Sequence, residues 1–208
     1  MQITILGATA GVGLQAVQQA LAGGHTVTAL ARTTASLPDH PRLRKLNGSA
    51  TVVADVRQAI AGADAVLITI GTKNKKATTL YSDAARALLA ATADTHFTAP
   101  VLAITGFGIG PSAPYLNWLM RLVVKGLLRK QSADKEIMEQ LLAHSALNWE
   151  IVQPGILSDG PPTHSYRVLT DLHPGMKVGK IARADVAHFL LQEAARPRRL
   201  RQRTVLTS

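Results

Sequence analysis

The 208-residue chain contains no cysteine, which excludes disulfides, thiolate metal sites and a thiol nucleophile and gives no reason to invoke an oxidising compartment. Aromatic residues amount to 4%, so the core has to be built from Ala, Val, Leu and Ile. Long apolar runs are missing as well: Trp118 to Leu128, the most apolar helical candidate, is interrupted by Arg121 and Lys125 and falls short of the roughly 20 residues that span a bilayer. Met1 leads straight into a strand and leaves no room for a charged and then apolar leader. The cytoplasm is the expected location, with no membrane partner. Acidic residues are scarce, 13 against 23 Lys and Arg, for a net charge of +10. Much of the excess sits in Arg196, Arg198, Arg199, Arg201 and Arg203, where no aromatics are interleaved to stack bases. A solvated basic edge is the expectation there, not a nucleic-acid site.

What is present describes a globular chain, with 47% hydrophobic and 17% charged residues. The length suits one core, and a single domain over residues 1–208 is expected, with small substrate-side elements from 111–130 and 156–180. No internal repeat of solenoid period is found.

The organising stretch is the first. An apolar run of strand length, Gln2 to Leu6, ends at Gly7 and passes through Ala8-Thr9-Ala10-Gly11-Val12-Gly13 into a segment with Leu14, Val17 and Leu21 at helical spacing. Strand, glycine turn and helix in this order form a seat for a pyrophosphate. Glycines let the backbone lie against the anion, and the free N–H groups of the helix start attract its charge. A dinucleotide is the expected occupant, contacted by Gly7, Thr9, Gly11, Val12 and Gly13.

The pattern then alternates. Strands are expected at Thr26–Ala31, Thr51–Asp55, Ala63–Ile70, Val101–Thr105, Trp149–Gln153 and Thr204–Leu206, with an antiparallel piece at Tyr166–Thr170. Helices are expected at Val56–Ala61, Thr78–Thr92, Pro114–Lys130, Asp134–His144 and Arg183–Glu193. The Pro114–Lys130 segment is amphipathic and reads as packed on the domain or on a second subunit, so a monomer or homodimer is expected. Such alternation gives a three-layer, doubly wound parallel sheet, a Rossmann fold of order 3-2-1-4-5-6. Its crevice gathers the glycine turn, Arg32, Asp55, Gly71, Thr72 and Thr105.

An acid after the second strand would favour NAD; here the residue is Arg32, whose planar fork suits a 2′-phosphate. NADPH is therefore the expected cofactor, with Thr33 as an added hydroxyl donor. The bland reading of Arg32 is a solvated strand end. Asp55 and Val56 are expected to meet the adenine edge, although Asp55 could equally cap the next helix.

Together, Gly7-Ala8-Thr9-Ala10-Gly11-Val12-Gly13, Arg32, Ala54-Asp55-Val56, Gly71-Thr72-Lys73-Asn74, Ile151-Val152-Gln153-Pro154-Gly155 and Arg183-Ala184-Asp185-Val186-Ala187 resemble the atypical, NAD(P)H-binding and NmrA-like branch of the short-chain dehydrogenase/reductase superfamily. Within it, the chain is most similar to the flavin reductase/biliverdin-IXβ reductase group. The resemblance covers essentially the whole chain. It implies NADPH across the sheet edge, with Lys73 among its contacts and the nicotinamide near Thr105, Pro154 and Ile156, and hydride transfer to a flat ligand above it.

The chain departs from the superfamily pattern at one place that matters chemically. Lys135 stands where the lysine of the catalytic Tyr-x-x-x-Lys should be, but the tyrosine position holds Gln131, and Gly106 replaces the serine that often follows Thr105. Without a phenol, ketone reduction lacks its usual general acid. A small-molecule acceptor such as a flavin, linear tetrapyrrole or quinone asks mainly for orientation. Thr105 and Lys135 are the expected catalytic-site residues, Lys135 having a surface pair with Glu139 as its equal alternative. Tyr81, Phe107 and Trp118 are candidates to stack on the acceptor, with core packing the stronger reading for Trp118. No metal spacing is found among His96, His144 and His164. The rival function is a redox-sensing regulatory protein that binds NADP without turnover.

Overall fold

The structure is a computed structural model that describes residues 1–72, 78–116, 118, 122 and 129–208. The central sheet runs β3 (Leu43–Asn47), β2 (Thr26–Ala31), β1 (Gln2–Leu6), β4 (Ala65–Ile68), β5 (Val101–Ile104), β6 (Trp149–Pro154), β10 (Gln202–Thr207) and β8 (Arg167–Leu169). All neighbours pair in parallel except β8, which runs antiparallel to β10. The expected order of six strands is present and is extended by β10 and β8. A second, two-stranded parallel sheet joins β7 (Ile156–Ser158) to β9 (Lys180–Ala182).

Alternation along the strands divides the core into two layers. Ile3, Ile5, Val27, Leu67, Leu102 and Val152 face α1 (Gly11–Ala22) and α5 (Arg183–Ala195). Leu6, Leu30, Val66, Ile68, Val101 and Ile151 face α2 (Val53–Ile60), α3 (Leu80–Thr92) and α4 (Arg129–Ala143). Strands buried on both faces read as continuous apolar runs, which is why β1, β4 and β5 stand out in the sequence.

The third strand is displaced from its expected place. Thr51-Val52-Val53-Ala54 looks like a strand because its residues are β-branched or small, yet Val53–Ile60 is α2. Val56, Ala59 and Ile60 are buried at helical spacing. The actual β3 is the sheet edge and carries Arg44 and Lys45 between Leu43 and Leu46, a charged edge that hides the strand pattern while discouraging further pairing. Pro114–Lys130 is not one helix: Gly110–Tyr115 is a 3-10 turn and α4 begins at Arg129. Most of the segment between them, like Lys73, lies outside the described residues.

The carboxyl ends of β1 and β4, adjacent but with onward connections that lead to opposite sides, open a crevice at the switch of strand order. Asp134 on α4 fastens this region by accepting hydrogen bonds from Tyr81 N and Ser82 N at 2.8 and 3.2 Å. It caps the amino end of α3 from a neighbouring helix.

Candidate cofactor groove and acceptor cavity

The glycine turn is built from backbone. Gly7 has φ +90° and donates its N–H to Leu30 O at 3.0 Å. A Cβ there would lie 2.8 Å from Ile70 Cα. Gly13 is helical, but a Cβ on it would lie 2.2 Å from Gly7 O and 2.5 Å from Thr69 Oγ1. The same Thr69 hydroxyl reaches Leu6 O and Gly7 O at 3.0 and 3.2 Å, closing the turn. Two of the glycines are thus required by the protein's own packing, a reason the sequence reading did not supply. Gly11, with φ +54°, is exposed and opens α1.

Ala10 gives α1 no side-chain cap, and no acid stands in its first turn. The leading amides and the positive end of the helix dipole therefore face the groove uncompensated by a side chain, which fits a pyrophosphate. Thr9 is half-buried beside the turn. Val12 is buried in the core, so its backbone and not its side chain can serve the groove.

Arg32 and Thr33 follow β2 and are exposed. Among the described residues Arg32 makes no ion pair, while the next threonine, Thr34, is fixed by its N–H and hydroxyl to Asn47 Oδ1 at 3.0 and 2.8 Å. The guanidinium therefore leaves a firmly held backbone and points no charge into the fold. Asp55 and Val56 require correction. They lie in α2, not at a strand end. Asp55 spends a carboxylate oxygen on Ser49 N at 2.8 Å, with Gly48 packed against it, and Val56 is fully buried. Asp55 thereby ties the β3–α2 loop down with one oxygen, which leaves its other oxygen for the expected adenine edge. Gly71 is exposed and Thr72 half-buried after β4.

At the carboxyl ends of β5 and β6 is a cavity of about 870 Å³ whose walls include Thr105, Phe107, Lys135, Pro154, Ile156 and Met176. Five of these residues, all but Met176, were expected at the site, and the fold brings them together from three different stretches of chain. Gln131, at the place of the missing phenol, also borders it. Behind the wall runs a network of side chains. Thr105 Oγ1 donates to Glu139 Oε1 at 2.6 Å, Gln153 Nε2 donates to the same oxygen at 2.8 Å, and Arg203 Nε donates to Glu139 Oε2 at 3.1 Å. Lys135 Nζ donates to Thr105 O at 2.7 Å and sits 5.1 Å over the Tyr81 ring.

Burial sets the charges in this network. Lys135 is pulled down to about 8 by desolvation of its ammonium, partly opposed by Glu139. Burial pushes Glu139 up, against hydrogen bonds from Thr105, Gln153 and Arg203 that favour the carboxylate. Lys135 is accordingly not the surface lysine of the alternative reading.

Two aromatic expectations change. Tyr81 is 3% exposed and does not border the cavity; burial raises its phenol, which is hydrogen-bonded to the Thr72 backbone. It supports Lys135 and offers no open stacking face. Trp118 is 74% exposed, so it is not a core residue, and it is not part of the cavity wall. Glu139, Gln153 and Arg203 were not anticipated. The basic tail is also not simply a solvated edge: Arg199 pairs with buried Glu193 and lies 5.7 Å from the Phe189 ring, and Arg203 lies 5.7 Å from the Trp149 ring while holding Glu139.

Comparison with known proteins agrees with this geometry. The NAD(P)H-binding family model matches residues 7–197, and the chain belongs to that family. Among solved structures, the anaerobilin reductase ChuY of Escherichia coli superposes with a TM-score of 0.81 at 23% identity, over 100% of this chain and 97% of that one. A short-chain dehydrogenase/reductase of Veillonella parvula in complex with NADP gives 0.84 at 16% identity, over 100% and 94%. A Streptococcus pneumoniae protein named as an NADH-flavin reductase gives 0.77 at 20% identity, over 100% and 99%. At these identities the likeness establishes the Rossmann-type fold. No helix among the described residues is long and apolar enough to cross a membrane.

Proposed function

We propose that the protein is an NADPH-dependent reductase that passes hydride to a flat conjugated acceptor of the flavin, linear tetrapyrrole or quinone class. The observation that carries this reading is the cavity of about 870 Å³ at the carboxyl ends of β5 and β6, two and three strands from β1 in the same sheet, a volume within the ~300–1,000 Å³ range of ligand sites. Its walls are largely apolar, with Lys135 and Thr105 as the polar groups at the sheet end. The relatives named as anaerobilin reductase and NADH-flavin reductase support the acceptor class.

In this reading the amides of Gly11, Val12 and Gly13 hold the pyrophosphate, with Gly7 and Thr9 shaping the turn, and Arg32 with Thr33 grips the 2′-phosphate. Gly71, Thr72 and Lys73 complete the cofactor side. When bound, the reduced nicotinamide supplies a hydride. Thr105, Pro154 and Ile156 orient its ring. The Thr105 proton is committed to Glu139, so its hydroxyl offers lone pairs to a carboxamide N–H and is not an acid. Lys135, at about 8, remains mostly protonated at neutral pH and holds an anionic group of the acceptor. Phe107, Ile156 and Met176 supply flat apolar contact. Gln131 supplies no phenol, and the phenol that does border the cavity is that of Tyr115, outside the Tyr-x-x-x-Lys spacing; acceptors whose proton can come from water need neither. Gln131 is also what a non-catalytic NADP-binding sensor would carry, so turnover separates the readings.

Steady-state oxidation of NADPH is to be followed with FMN, FAD, riboflavin, biliverdin and a quinone. Turnover with at least one acceptor is expected; tight NADPH binding without turnover on any of them would favour the sensor. Arg32→Ala is expected to weaken NADPH by about 10- to 100-fold, the worth of one charge-assisted contact, while NADH is unchanged. Equal NADPH affinity in wild type and variant would remove the 2′-phosphate assignment.

A further inference from the structure

The Arg183-Ala184-Asp185-Val186-Ala187 motif takes no part in the cavity, yet it stands beside the glycine turn. Arg183 is the first residue of α5, and its side chain crosses the start of α1. Its Nε and Cδ lie 3.7 and 3.8 Å from the point where a Cβ on Gly11 would sit. Nη1 donates to Asp159 Oδ1 at 2.8 Å, and the Asp159 side chain is 93% exposed. Among the described residues Nε and Nη2 have no hydrogen-bond partner.

The backbone beneath this arginine is held from two sides. Gln19 Nε2, on α1, donates to Ala184 O at 2.9 Å. Asp185 is fully buried and accepts from Thr163 N, Thr163 Oγ1 and His164 N at 2.8, 2.7 and 2.8 Å. The guanidinium is thus delivered to one place by a rigid base, which lowers the entropy lost when it binds.

That place already carries positive potential, from the uncapped amino end of α1. A cation added there is unfavourable unless an anion sits between the two, and the present partner is a carboxylate almost wholly in water. We propose that Arg183 is a clamp for the pyrophosphate of the dinucleotide, and that it gives up Asp159 to take it. A pyrophosphate supplies two negative charges and matches the fork of a guanidinium. Since Asp159 directly follows β7 and Ile156 and Leu157 of β7 wall the cavity, cofactor arrival also releases the segment beside the acceptor. This inference rests on the cofactor reading above.

Binding of NADP, NAD and adenosine 2′-monophosphate to wild type, Arg183→Gln, Asp159→Asn and Arg32→Ala separates the two. Arg183→Gln is expected to weaken NADP and NAD by the same factor, about tenfold, and to leave adenosine 2′-monophosphate unchanged, since that ligand has no pyrophosphate. Arg32→Ala gives the complementary pattern, weakening NADP and adenosine 2′-monophosphate but not NAD. Asp159→Asn leaves the arginine in place and is expected to tighten both dinucleotides by about two- to fivefold, because an exposed ion pair is a weak competitor. Unchanged dinucleotide affinity in Arg183→Gln overturns the clamp, as does an equal loss for adenosine 2′-monophosphate, which would mark general loosening. No tightening in Asp159→Asn overturns the exchange even if Arg183→Gln fails to fold. Wild-type protein that binds neither dinucleotide overturns this inference and the cofactor reading together.

Discussion

The two sides of the crevice are made differently. The groove around residues 7–13 is a backbone surface, folded from one continuous stretch, in which glycine positions and an uncapped helix start do the work. The acceptor cavity is a side-chain surface, and the network behind it joins β5, α4, β6 and β10 through Thr105, Glu139, Gln153 and Arg203. A backbone surface tolerates few changes of shape but many of chemistry. A network of buried ionisable groups is the reverse: its shape survives conservative substitution while its charges shift with every member.

Four substitutions sharpen that contrast, the most damaging to binding first. Gly13→Ala places a methyl 2.2 Å from Gly7 O, and backbone cannot step aside there as a side-chain tip can. A loss of about 1–3 kcal/mol is expected from overpacking, with dinucleotide affinity falling alongside; denaturant unfolding and NADP titration read both. Wild-type stability and affinity would mean that the turn is more plastic than its contacts indicate.

The cavity side is expected to show its effect in pH dependence. If the Lys135 cation holds the acceptor, kcat/KM for an anionic acceptor falls as pH rises through about 8, and Lys135→Gln removes that limb at a cost of about tenfold below it. Glu139 raises the lysine, so Glu139→Gln shifts the limb to lower pH, the opposite of what relieving its burial would do. A limb that stays in place after Glu139→Gln would separate the lysine from the network.

The smallest effect on binding is expected far from either surface, where stability is the readout. Glu150 on β6 is buried, accepts from Thr204 Oγ1 at 2.7 Å, and is pushed from 4.5 to about 7, first by desolvation. The folded state therefore keeps a proton that the unfolded state releases. Stability is expected to fall as pH rises from about 4.5 to 7 and to level off above. Glu150→Gln should flatten that slope and leave cofactor binding untouched; thermal unfolding across this range checks it.

The same contrast explains what could be read from the sequence. The β1–α1–β2 unit is local and apolar on both faces, so residues 2–31 announce it and the order of strands follows. Edge strand β3 is hidden because Arg44 and Lys45 break its pattern, and the first turn of α2 reads as the end of a strand, ahead of the helix expected from Val56, because Thr51, Val52 and Val53 are β-branched. At the site, Thr105, Lys135, Phe107, Pro154 and Ile156 converge as expected. Asp55 has a second use that its place in the sequence does not show, since a carboxylate near a loop serves Ser49 N as well as a ligand. Glu139 and Arg203 are 64 residues apart in sequence, and nothing in either neighbourhood points to the other. Such pairings become visible only when β10 is laid beside β6.

The most direct test of the cofactor and acceptor assignments is a crystal structure of the protein with NADP and an acceptor. The account predicts pyrophosphate density against residues 7–13, the 2′-phosphate on Arg32, and a nicotinamide at Thr105 facing an acceptor in the Lys135 cavity. A dinucleotide bound away from the glycine turn, or an acceptor seated outside that cavity, would contradict it.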